Sequence, residues 1–201
     1  MGGLAQLAVQ KGFEVAGCDE NAYPPMSNVL AEQGIKVDQG FSTRNIADDI
    51  DLFVIGNVVS RGNPMMEEIL KRRLKFVSGP QFLTESILED RHVIAVSGTH
   101  GKTSTSSMLA KVFIDAGLDI GYMIAGRAID LDSTAYLGTH KYFVIEADEY
   151  DTAFFDKRSK FIHYSPSTLL INNLEFDHAD IFDDLDAIKK QFHHLLRILP
   201  K

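Results

Sequence analysis

The sequence predicts an α/β fold: a Rossmann-like N-terminal domain over residues 1–90, then part of a P-loop ATPase domain with a mainly parallel sheet over residues 91–201. Three observations carry this expectation. Short apolar or β-rich runs alternate with helical patterns along the whole chain, a glycine-rich Lys-Thr segment joins one such run to a helix, and two acid-rich segments each follow another run. The charged stretch at 88–91 marks the expected boundary between the two units.

Residues 4–10 read as helix, 13–16 as strand, 26–33 as helix, 35–37 as strand and 51–55 as strand. Asn63 can cap a helix with Pro64 at its first position and Met65, Ile69 and Leu70 on its apolar side. Residues 75–77 and 82–88 repeat the strand and helix order. In the second half, 92–96 form a strand and the following helix carries Met108, Leu109, Val112, Phe113 and Ala116 on one face, with Gly117 to end it. Strands are expected at 142–145 and 168–171. Leu185, Ile188, Phe192, Leu195 and Leu199 then give a helical stripe before Pro200. Gly2-Gly3 directly before a helix resembles the tail of a glycine-rich turn whose strand lies upstream, and the far end stops just after a helix. Both ends therefore read as cut, with the central domain incomplete.

Gly98-Thr99-His100-Gly101-Lys102-Thr103 has the surroundings a phosphate-binding loop requires. A strand delivers it, glycines let backbone N–H groups close round an anion, and the helix N-terminus adds a partial positive charge. Lys102 would reach terminal phosphates and the Thr103 hydroxyl would bind Mg²⁺. Val96 stands where the general pattern has its first glycine. The competing reading is a surface turn before an ordinary helix.

Composition narrows the classes. Of 201 residues, 45% are hydrophobic and 24% charged, enough to bury a core. A net charge of −8 argues against a nucleic-acid binder, which would carry a basic face. Cys18 is the one cysteine, so no internal disulfide can form; a small buried apolar role is expected for it. No apolar run approaches bilayer length and no basic leader precedes one, which places the chain in the cytoplasm with no membrane partner.

The acidic run at 146–151 follows one expected strand, and Asn172-Asn173-Leu174-Glu175-Phe176-Asp177-His178-Ala179-Asp180 follows another. In open α/β sheets, ligands bind outside the carboxyl ends of strands. A carboxylate there can share Mg²⁺ with a phosphate loop, and His178 could be a metal ligand oriented by Asp177 or Asp180. Each segment alone also reads as a solvated loop, with His178 as a surface residue or helix cap.

Taken together, the phosphate loop and the two acid-bearing strand ends resemble the Mur ligase family of peptidoglycan enzymes. Members join amino acids or peptides to UDP-sugar intermediates using ATP. The segments Asp19-Glu20-Asn21-Ala22-Tyr23-Pro24-Pro25-Met26-Ser27, Gly56-Asn57 with Ser60-Arg61-Gly62-Asn63-Pro64, and residues 146–160 are most similar to the member that attaches L-alanyl-γ-D-glutamyl-meso-diaminopimelate, a murein tripeptide, to UDP-N-acetylmuramate. The resemblance implies a first domain for the UDP-sugar and a central domain for ATP and Mg²⁺. It implies that Gly98, Thr99, His100, Gly101, Lys102, Thr103 and Ser104 hold ATP, with His100 possible as a group facing substrate. Lys102, Glu146 and His178 would be catalytic, with Thr103, Glu146 and His178 on metal and Asp148, Asn173 and Asp177 supporting them.

Substrate contacts are weaker expectations. Asp19, at a strand end, could meet a ribose hydroxyl; Asn57, Ser60 and Arg61 could touch the sugar or diphosphate; Arg127 could reach the muramoyl part or make a surface salt bridge. Several relatives use a carbamylated lysine downstream of the metal-binding histidine. The matching region here offers His193 and His194, expected to be structural. With the family's third domain absent, these 201 residues alone are expected to make no amide bond. The alternatives are the family's UDP-N-acetylmuramate–L-alanine ligase, from which the sequence after Tyr150 leans away, and a non-catalytic nucleotide-binding fragment.

Overall fold

A computed structural model describes residues 1–126, 131–175, 182 and 184–200. The first half gives α1 (Gly2–Gln10), β1 (Ala16–Asp19), α2 (Met26–Glu32), β2 (Lys36–Gln39), β3 (Phe53–Ile55), α3 (Pro64–Arg72), β4 (Phe76–Ser78) and α4 (Gly79–Leu83), which runs into a π-helical turn at Thr84–Leu88. The second half opens with β5 (His92–Ser97), α5 (Lys102–Asp115), β6 (Gly121–Met123), β7 (Ala135–Tyr136) and β8 (Tyr142–Glu146). It continues with β9 (Asp151–Ala153), β10 (Asp156–Ser159), α6 (Lys160–His163), β11 (Thr168–Ile171) and α7 (Leu185–Leu196).

Five strands form one sheet in the order β11-β5-β8-β6-β7, parallel except for the antiparallel β6–β7 pair. Its centre is β5 and β8, whose Ala95, Val96, Phe143, Val144 and Ile145 are fully buried. Parallel strands covered on both faces need such unbroken apolar runs. The first half instead carries two parallel pairs, β1 with β2 and β3 with β4.

The halves share a core. Leu4, Leu7 and Ala8 of α1 pack in one cluster with Phe143, Ile145 and Phe161 from beyond residue 90. Gln6, fully buried, donates to Thr134 Oγ1 at 3.3 Å, and Gln10 both donates to the Ala135 carbonyl and accepts from Leu137 N–H at 2.7 Å. The hairpin of β9 and β10 reaches back the other way. Its tip puts Phe154 against the cluster of Ile46, Ile55, Met65, Met66 and Ile69, and Phe155 edge-on to Phe76 at 5.1 Å.

Several expectations shift. The first strand begins at Ala16, not residue 13, because the segment that pairs with β2 is Ala16–Asp19; Phe13 meets the Phe82 ring at 5.6 Å instead. The Asn63 cap forms as expected, accepting from the N–H groups of Met65 and Met66. The helix expected from residue 82 starts at Gly79, capped by the Ser78 hydroxyl, which accepts from Gln81 N–H. The face expected for α5 holds only at Leu109 and Phe113: Met108 and Val112 are 62% and 64% exposed, Ala116 is exposed, and the buried residues are the small Ser106 and Ala110. Small side chains let this helix lie close on β5 and β8, with Leu109 and Phe113 packing at its margin. The last helix stops at Leu196, so Leu199 lies outside it, while Ile188, Phe192 and Leu195 are buried as the stripe requires. Strands β6, β7, β9 and β10 were not foreseen; they have two to four residues each, and Asp156–Ser159 has no apolar alternation.

Candidate active site

The glycine loop lies between β5 and α5. Gly98 has φ +128°, and a Cβ there would fall 2.8 Å from the Asn173 carbonyl oxygen, so only glycine fits. Gly101 caps α5 at φ +77°, and no side chain covers the first turn. Free N–H groups and the helix dipole at such a terminus favour an anion.

The loop is braced from the end of β11. Asn173 takes the N–H groups of Thr99 on its carbonyl and His100 on its Oδ1 at 2.8 Å, and its amide donates to the His100 carbonyl. Asn172 donates to the His100 carbonyl and to Thr105 Oγ1. Thr99 Oγ1 both donates to the Glu175 carbonyl and accepts its N–H. Two loop amides are thus committed to Asn173, and the N-terminal turn of α5 is the part open to an anion. The His100 ring is exposed, with Nε2 3.9 Å from a Glu175 carboxylate oxygen. Ser104 is exposed on the same first turn.

Lys102 and Thr103 leave that turn in two directions. The Lys102 ammonium donates to the carbonyls of Gly98 at 2.6 Å and Thr99 at 3.3 Å, and lies 3.8 Å from Asp148 and 3.7 Å from buried Glu149. The Thr103 hydroxyl bridges both carboxylate oxygens of Glu146, at 3.0 and 3.1 Å, and Ala125 N–H donates to the same group at 3.0 Å. Burial raises the Glu146 pKa above its ordinary value; the Ala125 and Thr103 hydrogen bonds and Lys102 pull it back, while Asp148 adds to the rise. Ser97 ties the two strand ends together by donating to the Ala147 carbonyl at 2.7 Å.

Beyond Glu146 opens a cavity of about 300 Å³ between the halves, lined by Asn57, Ala125, Glu146, Asp148, Thr152 and Lys160 among others. Of the expected substrate residues that are described, Asn57 lines it, while Asp19, Ser60 and Arg61 do not. Asp19 accepts from Asn21 N–H, and Ser60 donates to the Arg61 carbonyl. Arg61, expected at the sugar or diphosphate, instead makes a two-pronged exposed bridge to Glu67 at 2.9 and 3.0 Å. Arg127, Asp177, His178 and Asp180 lie outside the described residues. Among the described residues no three His, Cys, Asp or Glu side chains cluster as a metal site; the oxygen donors found together are Thr103 and Glu146. His193 and His194 are exposed near the end of α7, and Cys18 is half-buried with Sγ 3.2 Å from Met65 Sδ.

Asn172, Ala125, Ser97 and Lys160 are the contributors that sequence reasoning missed. For Asn172 a signal existed: paired asparagines at a strand end can hold a glycine loop that has no side chains of its own. The Ala125 amide carries none, since any residue supplies it.

A glycine loop at the carboxyl end of a central parallel strand, joined at its threonine to a carboxylate on the neighbouring strand end, defines an α/β domain with its candidate site where such folds take ligands. The chain belongs to the Mur ligase family: residues 1–91 match the profile described as Mur ligase family, catalytic domain, and residues 96–201 match the Mur ligase middle domain. It is 55% identical over 200 residues to the UDP-N-acetylmuramate–L-alanyl-γ-D-glutamyl-meso-2,6-diaminoheptandioate ligase of Escherichia coli, covering 100% of this chain and 44% of that protein. The crystal structure of the corresponding ligase from Neisseria meningitides superposes with a TM-score of 0.95 at 52% identity, covering 100% of this chain and 65% of that one. A UDP-N-acetylmuramate-alanine ligase from Thermotoga maritima shares the fold, with a TM-score of 0.83 at 22% identity over 99% of this chain and 45% of that one. The chain thus spans less than half the length of the curated relative it matches.

Proposed function

We propose that the protein carrying this chain is an ATP-dependent ligase that joins L-alanyl-γ-D-glutamyl-meso-diaminopimelate to UDP-N-acetylmuramate in peptidoglycan recycling. Residues 1–90 hold the sugar nucleotide and residues 91–201 hold ATP with Mg²⁺. One observation carries this assignment: the Glu146 carboxylate receives the hydroxyl of the phosphate loop and also lines the cavity between the halves. Transfer between two bound substrates requires that their reacting groups meet, and Glu146 stands where the two spaces join. The 55% identity to the Escherichia coli ligase supports the same substrates.

A carboxylate is a poor electrophile. Transfer of the terminal phosphoryl group of ATP to the sugar-borne carboxylate gives an acyl phosphate; the peptide amine attacks its carbonyl carbon, an amide forms, and inorganic phosphate leaves. Hard oxygen donors such as Thr103 and Glu146 suit Mg²⁺, which when bound would neutralise phosphate charge. The flexible Lys102 stem lets its ammonium exchange the Gly98 and Thr99 carbonyls for phosphate oxygens. Gly98 keeps the loop tight, and Asn173 holds it in shape. By resemblance, His178 completes the metal ligands. ATP and UDP-sugars are cytoplasmic metabolites, so the reaction belongs in the cytoplasm; no helix among the described residues is long and apolar enough to cross a membrane.

The test uses the complete protein with ATP, Mg²⁺ and UDP-N-acetylmuramate, following phosphate release and the amide product by mass spectrometry. Product with the tripeptide is expected. Product with L-alanine alone would move the assignment to the L-alanine ligase, and ATP binding without turnover on any amine would leave a nucleotide-binding module.

A further inference from the structure

The cavity between the halves has an unusual charge balance for a site that must receive an anion. Glu146 and Asp148 both line it, and among the described residues Lys160 is the one lysine or arginine in its lining. An acceptor carboxylate brought beside two protein carboxylates is repelled unless a cation faces it. Lys160 is held for that task. It opens α6, its backbone N–H donates to the Tyr150 carbonyl at 2.9 Å, and its ammonium lies 5.5 Å over the Tyr150 ring. Tyr150 lies within the acidic run 146–151, so the cation and the acids are carried on one short segment. Among the described residues Lys160 takes part in no ion pair, unlike Lys157 and Arg158, three and two positions earlier, which are bound to Asp151 and Asp156. A half-buried lysine at a cavity wall, in no ion pair among the described residues, can turn its ammonium to a ligand's carboxylate.

We propose that Lys160 binds the sugar-borne carboxylate of the acceptor substrate and so selects a carboxylated UDP-sugar over its neutral counterpart. This rests on the function proposed above and adds the residue that reads the reacting group. A charge-assisted hydrogen bond of this kind changes affinity about 10- to 100-fold.

The experiment is calorimetric binding to the complete protein without ATP, comparing UDP-N-acetylmuramate with UDP-N-acetylglucosamine, which lacks the lactyl ether bearing the carboxylate. Wild type should prefer the muramate. Lys160→Met should weaken the muramate about 10- to 100-fold and leave the glucosamine affinity unchanged, with that unchanged affinity showing that the variant is folded. Lys160→Arg should restore most of the preference. Equal weakening of both ligands would assign Lys160 to structure alone and overturn the inference, as would muramate binding to Lys160→Met at wild-type strength. Wild-type protein that binds neither sugar nucleotide would sink the proposed function together with this residue role, whereas the first two failures leave that function standing.

Discussion

The strand ends of the two halves are supported in different ways. In the second half, β5 and β8 run fully buried inside a five-stranded sheet, and the loop between β5 and α5 is held by Asn172, Asn173 and the Thr99–Glu175 pair. In the first half, β1 exposes three of its four residues in a two-stranded sheet, and the side chains expected to meet substrate after β1 and β3 bond to near neighbours: the Asp19 carboxylate accepts from Asn21 N–H, and Arg61 donates to Glu67. A braced loop can keep its donors aimed before any ligand arrives, which is where electrostatic stabilisation is gained. The first half takes its support from the other, through α1 lying on β7 and through Phe154 and Phe155 at the tip of the β9–β10 hairpin.

Gly98→Ala attacks the braced side and should have the largest effect. At φ +128°, with Asn173 backbone 2.8 Å from the added carbon, the methyl group must either strain the loop or push β11 away. A cost of about 1–3 kcal/mol in unfolding free energy is expected, with a clear loss of ATP affinity. Chemical denaturation and nucleotide titration check it. Unchanged ATP binding in a stable variant would mean that the rigidity of this loop has no part in holding the nucleotide.

Phe155→Ala attacks the support of the other side. Phe155 is 39% exposed and makes edge contacts with Phe76 and with Phe154, so truncation should cost about 1–2 kcal/mol, less than for a fully buried phenylalanine. The sharper readout is selectivity. UDP-sugar affinity should fall by more than ATP affinity, because the hairpin tip packs on β4 while the phosphate loop has its own bracing. Equal losses would erase the distinction drawn between the halves.

The same contrast explains what was legible in the sequence. Strands β8 and β11, each marked by its own apolar run, appear where residues 142–145 and 168–171 predict them, and the Asn63-Pro64 cap was readable because its partners lie two and three residues away. Lys102 and Thr103 were read from loop composition, the acidic run from its strand-end position and Glu146 within it from the family resemblance; the structure brings Thr103 and Glu146 into contact. What stayed hidden depends on distant partners. The start of β1 is set by where β2 pairs with it, the buried face of α5 by the close approach of two strands, and the short β9–β10 hairpin by aromatic contacts with residues 76 and earlier. Lys160 was passed over because nothing in its neighbours reveals that a cavity wall forms there.

The smallest expected effects concern two carboxylates, one from each half, that an arginine holds at a pKa of about 2. Glu67 is lowered from 4.5 chiefly by its hydrogen bond from Arg61, with Gly62 N–H adding to it; Asp156 is lowered from 3.8 chiefly by its hydrogen bond from Arg158. Because both are depressed in the folded state, each contributes stability that is complete above its ordinary value and lost as pH falls toward about 2. Glu67→Gln and Asp156→Asn should each flatten part of the acid limb of a stability-against-pH curve and change little near neutrality in its shape. Salt separates them. The Arg61–Glu67 pair stands 67% and 40% exposed, so about 1 M salt, with a Debye length of about 3 Å, should remove most of the Glu67→Gln difference. Asp156 is 15% exposed and also faces His163, itself 7% exposed, at 3.0 Å, so the Asp156→Asn difference should persist in the same salt. Equal salt sensitivity of the two variants would show that the hairpin of the second half is as open to solvent as the surface of the first, and the idea of a firm strap between them would fall.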